Sequence, residues 1–400
     1  MKAQFIMKHT RQSFIILIIF FALNGCQSKK ENANILCFDL INLPENKEVT
    51  LSDLNCYNVT YVPLESKKQS LISNIMDIKF GNEFFLIQSF NTIYMFSDNG
   101  SFKRKIGTEG RGPNEITHIH DFDIDKRNQD IFLVSAWQKK FFVYSKDGEF
   151  KRTFQCPGPT TSFKISREGI LCYNINSFAN IDSSYRLIDN NGLVIKSYRN
   201  SFYWTLTQSS TAIFNHENLF YCYNDRVFKK EVYSDTIYEY HELNFKPHIA
   251  IEAGNRLLTP HARSIYNSEY LFKNYFNPNN LFEVSDYIFY EFNIDFKIGG
   301  MNYSNYFIGS KIDKYKTLLS EENGLINDLD GGPNIWPKTT KDDNTLVAWI
   351  DAIRLKNHVA SDAFKNSKPK YPEKKKELER LANSLKETDN PILILVRLKK

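Results

Sequence analysis

The densest run of residues able to do chemistry is His118, His120, Asp121, Asp123 and Asp125. In an extended segment the two histidines share one face and the three aspartates share another, because side chains alternate. Three carboxylates in line are the donor set a hard cation such as calcium takes. The same aspartates also suit turns, since Asp125-Lys126-Arg127-Asn128-Gln129-Asp130 has the composition of a chain reversal. His118, Asp121, Asp123 and Asp125 are therefore the metal candidates. Extended to His216, His261 and Asp330, they define one reading of the chain as a calcium-dependent hydrolase or lyase.

Other residues point to binding. The stretch Gly107-Thr108-Glu109-Gly110-Arg111-Gly112-Pro113-Asn114-Glu115 could hold an anion on loop amides and Arg111, with Glu115 fixing the loop. It lacks the Gly-Lys-Ser/Thr ending of a phosphate-binding loop and leads into a strand. Asn327-Asp328-Leu329-Asp330-Gly331-Gly332 resembles a calcium loop but has Thr339 where the twelfth-position glutamate of an EF-hand belongs. Consecutive turns over a packed Trp336-Pro337 are the simpler account. Exposed aromatics stack on sugar faces, which makes Trp204 and Trp336 candidates beside Arg111, Glu115 and Asp330. No GxSxG elbow, HExxH or zinc-type cysteine spacing occurs.

These residues need a scaffold, and Met76 to Phe154 states it twice. Each copy has short apolar-alternating runs and a tight turn, Asp98-Asn99-Gly100 or Lys146-Asp147-Gly148, before a basic strand. Asn-Gly and Asp-Gly supply the positive backbone angles of a hairpin, so each copy is a four-stranded antiparallel meander. A third copy spans Phe163 to Tyr198, and its turn glycine is Gly192. Turn glycines 48 and 44 residues apart fit the period of propeller blades, which must stack around an axis to bury both faces. Blade four is expected at about Ser209–Phe245 and blade five at about Ile265–Phe296. Residues 247–260 carry few strand signals. Tyr57 to Leu64 is expected to close the last blade, which removes the free edges. Pro372 to Lys386 reads as the one clear helix, before a final strand at Ile392–Leu398.

The chain resembles the six-bladed propeller lipoproteins of Bacteroides and its relatives, which are themselves similar to NHL-type propellers. The motifs that carry this are Tyr61 to Glu65 (YVPLE), Ile106 to Glu115, Asp121 to Asp125 (DFDID), Asn327 to Pro337, and Ser384 to Leu395. What the resemblance implies is an all-β fold of six four-stranded antiparallel blades and an envelope location. It implies no activity.

The N-terminus reads as an address. Lys2, Lys8 and Arg11 precede an apolar run from Phe14 to Leu23, too short to span a bilayer, and Leu23-Asn24-Gly25-Cys26 resembles a lipobox. Residues 1–25 are then a signal peptide, Cys26 is the lipidated residue, 26–34 a polar tether and 35–400 the propeller. Gln27 in place of aspartate after the cysteine favours the outer membrane, periplasmic or surface-facing. The 51 basic and 46 acidic groups give +5, and removing the leader's three basic residues leaves +2. That balance offers no field for nucleic acid. Five further cysteines, Cys37, Cys56, Cys156, Cys172 and Cys222, read mainly as small buried hydrophobes, with Cys156–Cys172 the nearest pair for a disulfide. The leading expectation is a lipid-anchored binding module for a glycan, peptide or partner protein.

Overall fold

The computed structural model describes residues 35–177, 181–207, 214, 216–295, 304–320 and 323–399. Cys26, the leader and the tether lie outside them. Residues 36–400 form one compact unit.

Six antiparallel sheets form a ring. Their first strands are Asp77–Phe80, Asp121–Ile124, Thr160–Ile165, Asn218–Tyr223, Asn277–Val284 and Thr339–Asp342. Each first strand contacts the next, and the sixth contacts the first, so these six surround the axis. Within a meander, the turns from first to second and third to fourth strand fall at one end. The second-to-third turns and the links between blades fall at the other. The second end, called the upper face below, carries the longer connections.

The Asn-Gly and Asp-Gly turns are where the sequence puts them. Gly100, Gly148 and Gly192 have φ of +85°, +79° and +88°, conformations that cost an L side chain about 1–2 kcal/mol. At Gly100 a Cβ would also stand 2.1 Å from the Pro63 carbonyl oxygen. Pro63 ends the strand Cys56–Pro63, which pairs antiparallel with Ile392–Leu398 and completes blade six. Its buried Val59 and Val62 are three residues apart and pack on opposite faces, Val59 in the large core and Val62 in the core shared with blade one. Closure joins the two chain ends in one sheet, and Glu65 ties that sheet to blade one by accepting from the Phe102 amide at 2.9 Å.

The N-terminal segment does more than close the ring. Leu36–Asp39 adds a parallel strand to blade four along Asn244–Glu252, and Asn46–Lys47 adds one to blade five along Lys316–Leu319. Both additions cover outer edges that would otherwise present unpaired backbone groups.

The bounds of blades four and five differ from the sequence reading: blade four begins at Asn218, not near Ser209, and blade five ends at Leu319, not near Phe296. Blade four runs on to Glu252, because the register shifts opposite Pro247 and a bulge absorbs the residue that cannot donate. Blade five begins at Asn277, not near Ile265, because two short helices precede it: α1, Pro260–Ile265, and α2, Ser268–Asn274. Thr259 caps Ala262 and Asn267 caps Tyr270, each through its side-chain oxygen. Between the second and third strands of blade six lie α3, Ala352–Ala360, α4, Asp362–Asn366, and the expected C-terminal helix α5, Pro372–Ser384. They bury Leu355, Val359, Phe364 and Leu378 together in a small core of their own. Among the described residues, no helix is long and apolar enough to cross a membrane. The five cysteines within them are free thiols.

Candidate functional site

A cleft of about 570 Å³ opens on the upper face between blades five and six. This volume lies in the range of small-molecule binding sites. Its walls come from three parts of the chain. Tyr306 belongs to the third strand of blade five, Trp336 and Lys338 to the link between the blades, and Asp351 and Arg354 to the start of the helical insertion.

The link that carries Trp336 is fastened at several points. Leu325–Ile326 pairs with Val49–Thr50, and Leu325 bridges to Ile335. Tyr61 of the closing strand donates its hydroxyl to Asp330 at 3.2 Å, and Asn327 donates its amide to the same hydroxyl at 3.2 Å. His358 of α3 donates through Nε2 to the Gly331 carbonyl at 2.9 Å. Gly332 lets Tyr61 come this close, since a Cβ there would lie 2.0 Å from its oxygen. Gly324, at φ +60°, makes room for the Trp336 ring in the same way. The Asp-Gly chemistry of 327–332 therefore builds turns that present Trp336.

Trp336 and Tyr306 meet with ring centroids 4.5 Å apart at 46°. The Lys338 ammonium lies 4.7 Å above the Tyr306 ring centre, donates to the Tyr306 hydroxyl at 2.5 Å and pairs with Glu291 at 3.2 Å. Burial first, and the charge of Glu291 next, push the Tyr306 phenol far above its usual range, so it stays a neutral hydroxyl. Arg354 sits 3.6 Å from Asp351. The site offers an aromatic wall, mixed donors and acceptors, and as many positive as negative charges.

The other sequence candidates are dispersed. Trp204 is 4% exposed, donates its indole N–H to the Asn176 carbonyl and lies under the Arg263 guanidinium, so its ring is no surface platform. That packing follows from a buried ion pair, Arg263 with Glu217 at 2.7 Å. Asp330 is 1% exposed and serves its turn, and burial raises its carboxyl. Glu115 accepts from the Gly112 amide at 2.8 Å and so holds its own loop, while Arg111 is exposed on it.

The aspartate run splits as well. Asp121 and Asp123 reach from blade two to the inner strand of blade three, accepting from the Phe163 and Ile165 amides at 2.9 and 3.1 Å. Lys164, itself buried, stands 3.7 Å from Asp123. Burial pushes Asp121 up to about 6, against the pull of Lys164 and Lys79. Asp125 turns away into a two-bonded pair with Arg127; burial raises its carboxyl, but the guanidinium wins and holds it low. His118 and His120 lie on the upper face, in ring contact with Trp137. His261 and His216 are exposed elsewhere. Among the described residues, no group of three or more His, Cys, Asp or Glu is disposed to hold a metal ion. Lysine ammonium groups are the cations these axial carboxylates face.

Sequence reasoning missed Tyr306, Lys338 and Arg354. Nothing in their local pattern marks them, because the cleft forms only when blades five and six stand side by side. It also missed Trp137, which is 71% exposed, and Phe90, which is 64% exposed at φ +48°.

Fold and site together define a six-bladed propeller with a cleft at the junction of blades five and six. The chain belongs to the family described as a domain of unknown function, DUF4934, whose model matches residues 37–397. Among solved structures, a presumed exported protein of Bacteroides fragilis NCTC 9343 is similar over 92% of this chain and 100% of its own, at 19% identity and a TM-score of 0.68. A member of the DUF4221 family from Bacteroides vulgatus is similar over 86% and 97%, at 10% identity and a TM-score of 0.52. Such identities speak to the fold alone. No protein of curated function matches the chain in sequence.

Proposed function

We propose that this propeller is a binding module of the cell envelope, held at the outer membrane through a lipid on Cys26. Its ligand, a glycan, peptide or partner protein, enters the cleft between blades five and six. The observation that carries the reading is the cleft itself: about 570 Å³, walled by Trp336 and Tyr306 and braced from three parts of the chain. A rigid ring with one braced aromatic cleft is preorganised for recognition, since little ordering is left for the ligand to impose. The lipobox at 23–26 and the apolar run before it support the anchor, and two or more acyl chains would make it stable.

Two experiments test this. Cells grown with labelled palmitate should label the full-length chain and not the Cys26→Ala variant; an unlabelled wild type removes the anchor. Immobilised protein screened against glycan and peptide libraries should retain a ligand whose capture falls on Trp336→Ala. Capture indifferent to Trp336 removes the cleft from the reading.

A further inference from the structure

We infer that the ligand of the cleft is a neutral saccharide. The inference rests on the reading that the cleft is the binding site, and it concerns which chemistry that site can accept. Each charge at the cleft already has its counter-charge: Lys338 is 3.2 Å from Glu291, and Arg354 is 3.6 Å from Asp351. The two positive and two negative groups sum to zero, so the cleft carries no net charge to favour an anion or a cation. A carboxylate or ammonium on the ligand would compete with the partly buried Lys338–Glu291 pair, and the exposed Arg354–Asp351 pair offers it only a weak, solvent-screened contact.

A hydroxyl group meets no such obstacle. It both donates and accepts, so it can add to an occupied carboxylate or ammonium without breaking the pair. The exposed Asn334 amide, on the cleft wall, offers another donor and acceptor of the same kind. The ring wall completes the match. Trp336 and Tyr306 provide a broad apolar surface beside these polar groups, and a pyranose has one face of C–H bonds with hydroxyls around its edge. Aromatic rings with a polar rim recognise such amphiphilic bodies. The volume suits a short oligosaccharide rather than a single ring or a folded protein segment.

The test is calorimetric titration of detergent-extracted full-length protein with three probes: neutral oligosaccharides, uronic-acid oligosaccharides of matched length, and capped peptides. The neutral set should bind. Its affinity should change little between low and high salt, because no ion pair forms with the ligand. Trp336→Ala should weaken it about tenfold or more, as truncating a central aromatic anchor does. Trp336→Leu, which keeps apolar volume and removes the ring face, should weaken it similarly, with circular dichroism confirming that both variants fold. Trp336-dependent binding of the uronic acids or peptides instead overturns the inference of a neutral saccharide and leaves the cleft standing. Neutral-sugar binding that survives both substitutions overturns the cleft. Absence of binding across all three sets overturns the inference.

Discussion

Replacing Glu217 by Gln should destabilise the propeller more than almost any other single-atom change. Glu217 and Arg263 have side-chain exposures of 1% and 0% and lie 2.7 Å apart. The carboxylate also accepts from Ser177 at 2.8 Å and from the Asn176 amide at 2.9 Å, and Arg263 donates to Tyr233 at 2.5 Å. Gln keeps the shape and one acceptor but removes the negative charge that lies 2.7 Å from the buried guanidinium. Breaking a buried pair from one side costs about 3–5 kcal/mol. At about 2.1 cal/mol/K per residue, a folded unit of residues 36–400 loses about 1.3 °C for each kcal/mol, so the melting temperature should fall by about 4–7 °C. Scanning calorimetry on Glu217→Gln, Arg263→Met and the double variant measures this. The double variant should be more stable than the sum of the singles predicts, because the two charges interact and each single variant loses that same interaction. Additive losses would refute the reasoning and assign the cost to packing around Trp204 and Phe214.

Gly100→Ala should cost more than Gly148→Ala, although both glycines hold the same turn position. The first meets a backbone oxygen of the closing strand at 2.1 Å, the second only atoms of the Arg104 and Ile106 side chains at 2.6 Å, and equal losses in urea denaturation would deny that closure is tight at Pro63. Gly324→Ala should weaken ligand capture and also lower stability, because at φ +60° its Cβ would meet the Ile335 carbonyl oxygen at 2.6 Å and press on the Trp336 ring at 2.9 Å; unchanged capture would detach that turn from the cleft. His120 is held down to about 4, by burial first and by His118 next. The unfolded chain therefore binds the extra proton between about 6.5 and 4, so this stabilisation is whole above pH 6.5 and is lost as pH falls through that window. About 1–2 kcal/mol is at stake after allowance for partial exposure. His120→Gln should flatten that acid limb, and an unchanged profile by pH-dependent melting would contradict the assignment. Lys164→Met should raise the Asp121 pKa beyond its present value near 6, because Lys164 is the strongest charge opposing its burial; an unmoved carboxyl resonance would argue against the axial pairing.

Much of the ring was legible because hairpin chemistry is local. Gly100, Gly148 and Gly192 mark their turns within a few residues, and blades one to three follow from them. Closure by Tyr57–Leu64 was legible because an isolated alternating strand near the N-terminus needs a partner. Blade five was less so. Thr259-Pro260 and Asn267 are ordinary helix starts, but the following aromatic residues masked the second, so α1 goes unassigned in the sequence and α2 reads as the start of blade five. Trp204 and Trp336 are the same residue type beside similar turns, and only tertiary packing separates them: one lies under a buried arginine, the other faces an opening. The cleft itself joins Tyr306 to Arg354 across a blade junction, a relation that no sequence period encodes.

The most direct measurement uses the four tryptophans, which report three different places. Trp336 and Trp349 line the cleft, Trp204 is buried, and Trp137 stands exposed on blade two. Fluorotryptophan-labelled protein, with each resonance assigned by a Trp→Phe variant, would be titrated with whatever ligand the library screen captures. The account predicts that the Trp336 resonance moves with saturation while those of Trp137 and Trp204 stay in place. A shift confined to Trp137, or saturable binding that leaves Trp336 unmoved, would contradict it.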